Sequence, residues 1–236
     1  MAIYTIADLN IDIQYSHKYL DYLCRNYLAQ DQSIKADFAV APIKEDVEKD
    51  RQVLDEEHYP TPYLESLSVY RQIARKILDY EGIIFHASVI EMDGKAYAFT
   101  APSGTGKSTH CRLWLEAFPD KARIINGDKP LIRYIDGKLY VYGTPWCGKE
   151  NYNINTKAPL EAICFLSRSD VNVIKPMDKN DALRRIFTQL LLPETKAQSD
   201  NFFKMLSLIC DNVKFYALGC NMDIEAAKVA YEGMKN

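Results

Sequence analysis

Apolar and polar residues alternate in short runs along much of this 236-residue chain, and the period lengthens where helices take over. Residues 2–14 alternate with period two and predict a short strand or hairpin. Residues 16–30 place Tyr19, Leu20, Leu23, Tyr27 and Leu28 on one side of a helix. Ala36 to Ala41 reads as a brief strand, and Lys44 to Glu57 as a charge-rich, solvated helix or loop. Thr61-Pro62 predicts a helix start, with a capping oxygen and a proline at the first position; the helix runs to about Tyr80, where Gly82 ends it. Ile83 to Met92 then reads as a strand, and Asp93-Gly94 as a tight turn into Lys95 to Thr100, a hairpin signal. Leu131 to Ile135, Asp136-Gly137 and Lys138 to Tyr142 repeat it. Leu160 to Ser167 predicts a buried strand. Helices follow at 178–191, 199–211 and 223–234, with a strand at Val213 to Leu218. The fold class is α/β, a mixed, hairpin-rich sheet with flanking helices. The organisation read from it is a small N-terminal subdomain of strands plus helix over 1–60 and a larger domain over 61–236.

One segment changes the picture from fold to chemistry. Ala101-Pro102-Ser103-Gly104-Thr105-Gly106-Lys107-Ser108 lies between the strand at 95–100 and an amphipathic helix predicted over Thr109 to Phe118. Strand, small-residue loop and helix is the context of a phosphate-binding loop, a P-loop. Its glycines let backbone N–H groups curl around an anion, the lysine reaches the β and γ phosphates, and the serine hydroxyl ligates Mg²⁺. Ser103, Gly104, Thr105, Gly106, Lys107, Ser108 and Thr109 are therefore the candidate ATP-binding residues. Ala101 stands where this pattern most often has glycine, which is tolerable unless that residue needs a positive φ. Transfer of a phosphoryl group also needs a carboxylate near the γ-phosphate. Asp128 ends the short apolar run Arg123-Ile124-Ile125-Asn126 and is the candidate, as base, as Mg²⁺ ligand with Ser108, or as both; the plainer reading of Asn126-Gly127-Asp128 is a turn.

Charge and cysteine usage narrow the setting. A net charge of −3 and a pI near 5.9 give no overall footprint for nucleic acid. The six cysteines form no Cys-x-x-Cys pair, so a zinc ribbon is disfavoured and buried free thiols are expected. No signal peptide and no apolar run of membrane-spanning length is present, and the expectation is a cytoplasmic protein without a membrane partner.

His86-Ala87-Ser88, the glycine loop and Arg123-Ile124-Ile125-Asn126-Gly127-Asp128 occur in an order and spacing that resembles the HPr kinase/phosphorylase catalytic domain, one of the phosphoenolpyruvate-carboxykinase-like P-loop kinases. The resemblance covers about residues 83–130 well. It implies that Gly104, Gly106 and Lys107 hold phosphates, that Ser108 binds Mg²⁺, and that His86 stands beside the acidic pair; Lys107, Asp128 and His86 are thus the candidate catalytic residues. The family's pair is Asp-Asp, whereas this chain has Gly127-Asp128, with Glu150 as a weak substitute acid. Tyr142 to Glu150 suits a loop over a ligand or a merely structural one. Arg168 could neutralise phosphate charge; Arg184 and Arg185, adjacent on a helix, are better read as solvated surface. Trp114 and Trp146 read as packing residues. The function implied is an ATP- and Mg²⁺-dependent kinase acting on a hydroxyl, serine of a protein or peptide first. A small-molecule acceptor and a nucleotide-binding regulatory module without transfer remain open alternatives. The resemblance also implies homo-oligomers, since members of the family often assemble.

Overall fold

The computed structural model describes residues 2–54 and 59–235, so the end of the charge-rich segment, 55–57, lies outside the described residues. The chain opens with a hairpin, β1 (Ala2–Ile6) and β2 (Leu9–Ile13), whose turn residues Ala7 and Asp8 take φ of 54° and 60°. Helix α1 (Tyr19–Cys24) and the 3-10 turn Arg25–Tyr27 replace the longer helix expected over 16–30. The chain leaves the helix because Leu28 bridges to Tyr4 and Ala29 N donates to Ile3 O at 2.9 Å, so edge pairing with β1 wins over the last helical turn. Strand β3 (Phe38–Val40) joins β2 in parallel, and α2 (Lys44–Val53) follows with only Val47 buried.

Helix α3 (Thr61–Lys76) begins where Thr61-Pro62 predicted, with two corrections. Thr61 does not cap it: the N-cap is Pro60, without a side-chain acceptor, and Thr61 Oγ1 instead accepts from Arg51 Nη2 at 2.9 Å. Gly82 does not end it either. A 3-10 turn, Ile77–Tyr80, continues the helix, and Glu81 carries the left-handed residue at φ 53°. Gly82 starts β4 (Gly82–Ile84), where a Cβ would fall 2.5 Å from Ile77 Cγ1.

The strand expected over 83–92 is broken into β4 and β5 (Ser88–Met92). Between them Phe85 N donates to Pro130 O, His86 N to Gln189 O and Ala87 N to Asp128 O, so three residues pair with three separate segments. The remaining elements are β6 (Lys95–Thr100), α4 (Lys107–Ala117), β7 (Arg123–Asn126), β8 (Leu131–Ile135) and β9 (Lys138–Tyr142). Next come β10 (Lys157–Arg168), the unpredicted β11 (Val173–Pro176), α5 (Lys179–Phe187), α6 (Lys196–Asn212), β12 (Lys214–Cys220) and α7 (Glu225–Met234). Both expected hairpins form. Asp93 and Gly94 take φ of 53° and 75°, Asp136 and Gly137 of 50° and 80°, as a primed two-residue turn requires.

The large sheet runs β4-β8-β9-β10-β6-β5-β7, with β12 also on β10 and β11 on β12. Strand β10 makes the sheet mixed and curls it: its start pairs antiparallel with β9, a bulge falls between Leu160 and Ala162, and its remainder lies parallel between β6 and β12. Alternation along β6 feeds two cores. Ala96 and Ala98 face the side covered by α5 and α6, while Tyr97 and Phe99 face α4 and α7 around the fully buried Trp114. A third core joins β1–β3, α1 and α3 to Ile84, Leu131, Tyr142 and Trp146. The three parallel strands β6, β10 and β12 end on the same edge, which is where open α/β sheets bind ligands. Among the described residues no helix is long and apolar enough to cross a membrane, and all six cysteines are free.

Candidate functional site

The glycine loop leaves the end of β6, where Thr100 Oγ1 donates to His86 O at 2.9 Å. Ala101 has no positive φ, so its Cβ is tolerated. Gly104 and Gly106 take φ of 77° and 121°, and a Cβ on either would meet nothing within 4 Å; the space over the loop is open. Thr105 folds inward, its N and Oγ1 both donating to Pro102 O. The N–H groups of Ser103, Gly104 and Gly106 have no protein acceptor among the described residues. Lys107 opens α4 and its Nζ donates back to Ala101 O at 3.2 Å. Burial pushes the Lys107 pKa down; the charge of Asp128 opposes that and Lys129 reinforces it.

Asp128 is held by the turn between β7 and β8. The turn is made by buried Asn126, whose Oδ1 accepts from Asp128 N at 2.9 Å and Lys129 N at 2.8 Å, while its Nδ2 donates to Thr144 O. The turn is therefore Asn126's work, and the Asp128 carboxylate is left for other partners. Its Oδ1 lies 3.0 Å from His86 Nε2, and its Oδ2 lies 3.9 Å from Lys129 Nζ. His86 Nδ1 in turn lies 3.0 Å from Gln189 Oε1. Burial alone would raise the Asp128 pKa. The His86 hydrogen bond and the charges of Lys129, His86 and Lys107 outweigh it and hold the carboxyl below its ordinary range.

Two cavities meet at the glycine loop. The larger, about 890 Å³, is lined by Ser103, Lys107 and Ser108 on one side and by His86, Asp128 and Lys129 on another. The loop Pro145 to Asn151 forms a third wall and brings Glu150 to the same cavity. The smaller, about 660 Å³, opens at the ends of β10 and β12 and includes Thr105, Arg168 and Asn221. Gly104, Gly106 and Thr109 line both. Arg168 Nη2 donates to Gly104 O at 2.6 Å, steadying the loop from the smaller side. Arg184 and Arg185 line neither cavity: Arg184 pairs with Asp181 on the surface, and Arg185 lies over the Phe165 ring.

Trp146 packs, as expected, donating from Nε1 to Ser66 O at 3.2 Å, yet its ring also lines the larger cavity. Lys129, Gln189 and the tyrosines of α1 and α3 are site residues that sequence reasoning missed. Lys129 had a local signal, since it adjoins Asp128. Gln189 had none, because only the break in β4–β5 brings it to His86.

No curated protein matches the sequence. Among solved structures, a similarity is found to the HPr(Ser) kinase/phosphatase from Coxiella burnetii, at 12% identity over 54% of this chain and 88% of that one, with a TM-score of 0.29. That likeness is too loose to build on. A family model described as SynChlorMet cassette protein ScmC matches residues 53–190, a stretch that holds His86, the glycine loop, Asp128, Lys129, Trp146 and Gln189. With more than half of its length under that match, the chain belongs to the ScmC family.

Proposed function

We propose that this protein is a kinase that transfers the γ-phosphoryl group of ATP to a hydroxyl, serine of a peptide or protein being the first candidate. One observation carries the reading: the glycine loop with Lys107 and Ser108 lines the same cavity as the His86–Asp128 pair. The unpartnered N–H groups of Ser103, Gly104 and Gly106 suit phosphate oxygens, and the helix α4 N-terminus adds favourable partial charge. Lys107 is the cation that would hold the outer phosphates. The acceptor hydroxyl would give its proton to Asp128 Oδ2 as its oxygen bonds to the γ phosphorus; the bond from that phosphorus to the β–γ bridging oxygen breaks, and ADP leaves. His86 holds Oδ1 and fixes the carboxylate's direction. Lys129 balances charge on the far side of Asp128.

The residues fit a magnesium ion, because such ions take one or two protein oxygens and leave the rest of the shell to phosphates and water. Among the described residues no cluster of three or more metal-binding side chains occurs. Ser108 and Asp128 would hold the ion, which supplies neutralisation of charge developing on the phosphates.

The test uses ATP labelled on the γ-phosphate, Mg²⁺ and a cell extract split by size, with Lys107→Ala and Asp128→Asn in parallel. Label in the macromolecular fraction, lost in both variants while Asp128→Asn still binds ATP, is the expected result. Label confined to small molecules would move the acceptor to a metabolite. Tight ATP binding with no transfer to any fraction would make the protein a nucleotide-binding module.

A further inference from the structure

The larger cavity has two chemically distinct halves. One holds the glycine loop, the lysines and Asp128. The other is built by the N-terminal elements: Tyr19 from α1, Tyr59, Tyr63, Leu67 and Tyr70 at and along α3, and Trp146 from the loop opposite. The rings fall into two contacting groups. Tyr63 lies between Tyr19, at 6.5 Å between centroids, and Tyr59, at 5.5 Å, and Tyr70 lies 5.6 Å from Trp146. None of the four tyrosine hydroxyls has a hydrogen bond among the described residues, and none is sealed from solvent. Such rings offer rigid apolar area together with unspent donors and acceptors, as tyrosines do in antibody binding loops. The wall also reaches the reacting group: burial raises the Tyr70 pKa, and the charge of Asp128 adds to it.

Resting on the kinase reading above, we infer that this tyrosine wall is the acceptor subsite, and that it takes a peptide segment whose hydroxyl-bearing residue is flanked by an aromatic or aliphatic side chain. The apolar neighbour would sit among Tyr19, Tyr63 and Leu67, the phenol hydroxyls would meet the peptide's backbone amides, and the hydroxyl would be carried to Asp128. At about 890 Å³ the cavity has room for an acceptor group beside the glycine loop. Helix α1, through Tyr19, thus gains a role in selecting the acceptor.

The experiment uses the full chain and synthetic octapeptides with a single serine, whose two neighbours are set to Phe, Leu, Ala, Lys or Glu. Phosphorylation is read as kcat/KM with Mg²⁺ and ATP. Binding is read separately, by fluorescence anisotropy, on labelled peptides with alanine in place of serine, so that affinity is measured without turnover. Phe and Leu peptides are expected to exceed Ala, Lys and Glu peptides by about tenfold in both readouts, as loss of one aromatic anchor commonly costs. Tyr63→Ala should erase that preference and leave the KM for ATP within about twofold, and Tyr63→Phe should retain it. A flat profile, a preference for charged neighbours, or Tyr63→Ala with an unchanged profile would overturn the inference. So would failure of every peptide to bind while ATP binding still depends on Lys107, an outcome that leaves the nucleotide reading intact. Absence of ATP binding would instead strike the kinase reading itself.

Discussion

Gly127, where the resemblance drawn from the sequence would expect an acid, has no room for a side chain. A Cβ at this position would lie 2.6 Å from Cys147 O, a backbone atom that cannot swing away. The loop that carries Trp146 and Cys147 therefore occupies the space that an acidic side chain at 127 would need. Substituting Gly127→Asp is expected to destabilise the protein by about 1–3 kcal/mol, the usual cost of forcing atoms into a packed site, and not to raise phosphoryl transfer. Urea unfolding and the labelled-ATP assay measure the two effects; a stable and faster variant would refute the argument. Asp128 makes a pH-dependent contribution of known sign. Its folded pKa lies below the ordinary value of 3.8, so its stabilising interactions with His86 and Lys129 are fully present above that value and are lost as pH falls through the lower folded one. The stability gap between the wild type and Asp128→Asn should thus shrink as pH falls below 3.8. A gap that stays the same there would assign the effect to a different group.

At the scale of elements, the turn from β7 into β8 is what aims Asp128. Asn126 spends its whole amide on it, accepting two backbone N–H groups and donating to Thr144. Asn126→Ala would leave buried backbone groups without partners and is expected to cost about 2–4 kcal/mol, from more than one unsatisfied group. It should also lower transfer more than ATP binding, since the glycine loop is built on β6 and α4. Equal losses in kcat and ATP affinity would show that the turn supports the whole cleft. The same turn illustrates what the sequence made legible. Asp93-Gly94 and Asp136-Gly137 announced their hairpins because a primed turn needs two residues tolerant of positive φ, a requirement visible within two positions. The positive φ of Gly104 and Gly106 was legible for the same local reason. Strand β11 was not, because Val173 to Pro176 is short, largely exposed and pairs only with the distant β12, so no alternation marks it. Gln189 and the tyrosine wall were likewise silent. Their positions depend on the curl of β10, on the break at Phe85 to Ala87 and on the third core, all products of long-range packing.

Across the whole molecule, the cleft lies where the third core meets the edge of the large sheet at which β6, β10 and β12 end. Trp146 belongs to that third core, and Trp114 sits in the core between the sheet and helices α4 and α7, so the two tryptophans report on different regions. The N-terminal elements share Ile84, Leu131 and Tyr142 with the sheet, and separating them would expose all three. One cooperative transition is therefore expected, with coincident thermal unfolding curves from Trp114→Phe and Trp146→Phe each corrected for its own stability loss. ATP with Mg²⁺ at a hundredfold excess over its Kd would stabilise such a unit by about 2.7 kcal/mol. For a chain of this length that is a rise in Tm of roughly 5–11 °C. Both tryptophan signals should move together, and Lys107→Ala should abolish the rise. If the Trp114 curve moved and the Trp146 curve stayed, the nucleotide would be bound to the sheet alone. The tyrosine wall would then unfold on its own schedule, and α3 could not hold an acceptor in register with Asp128.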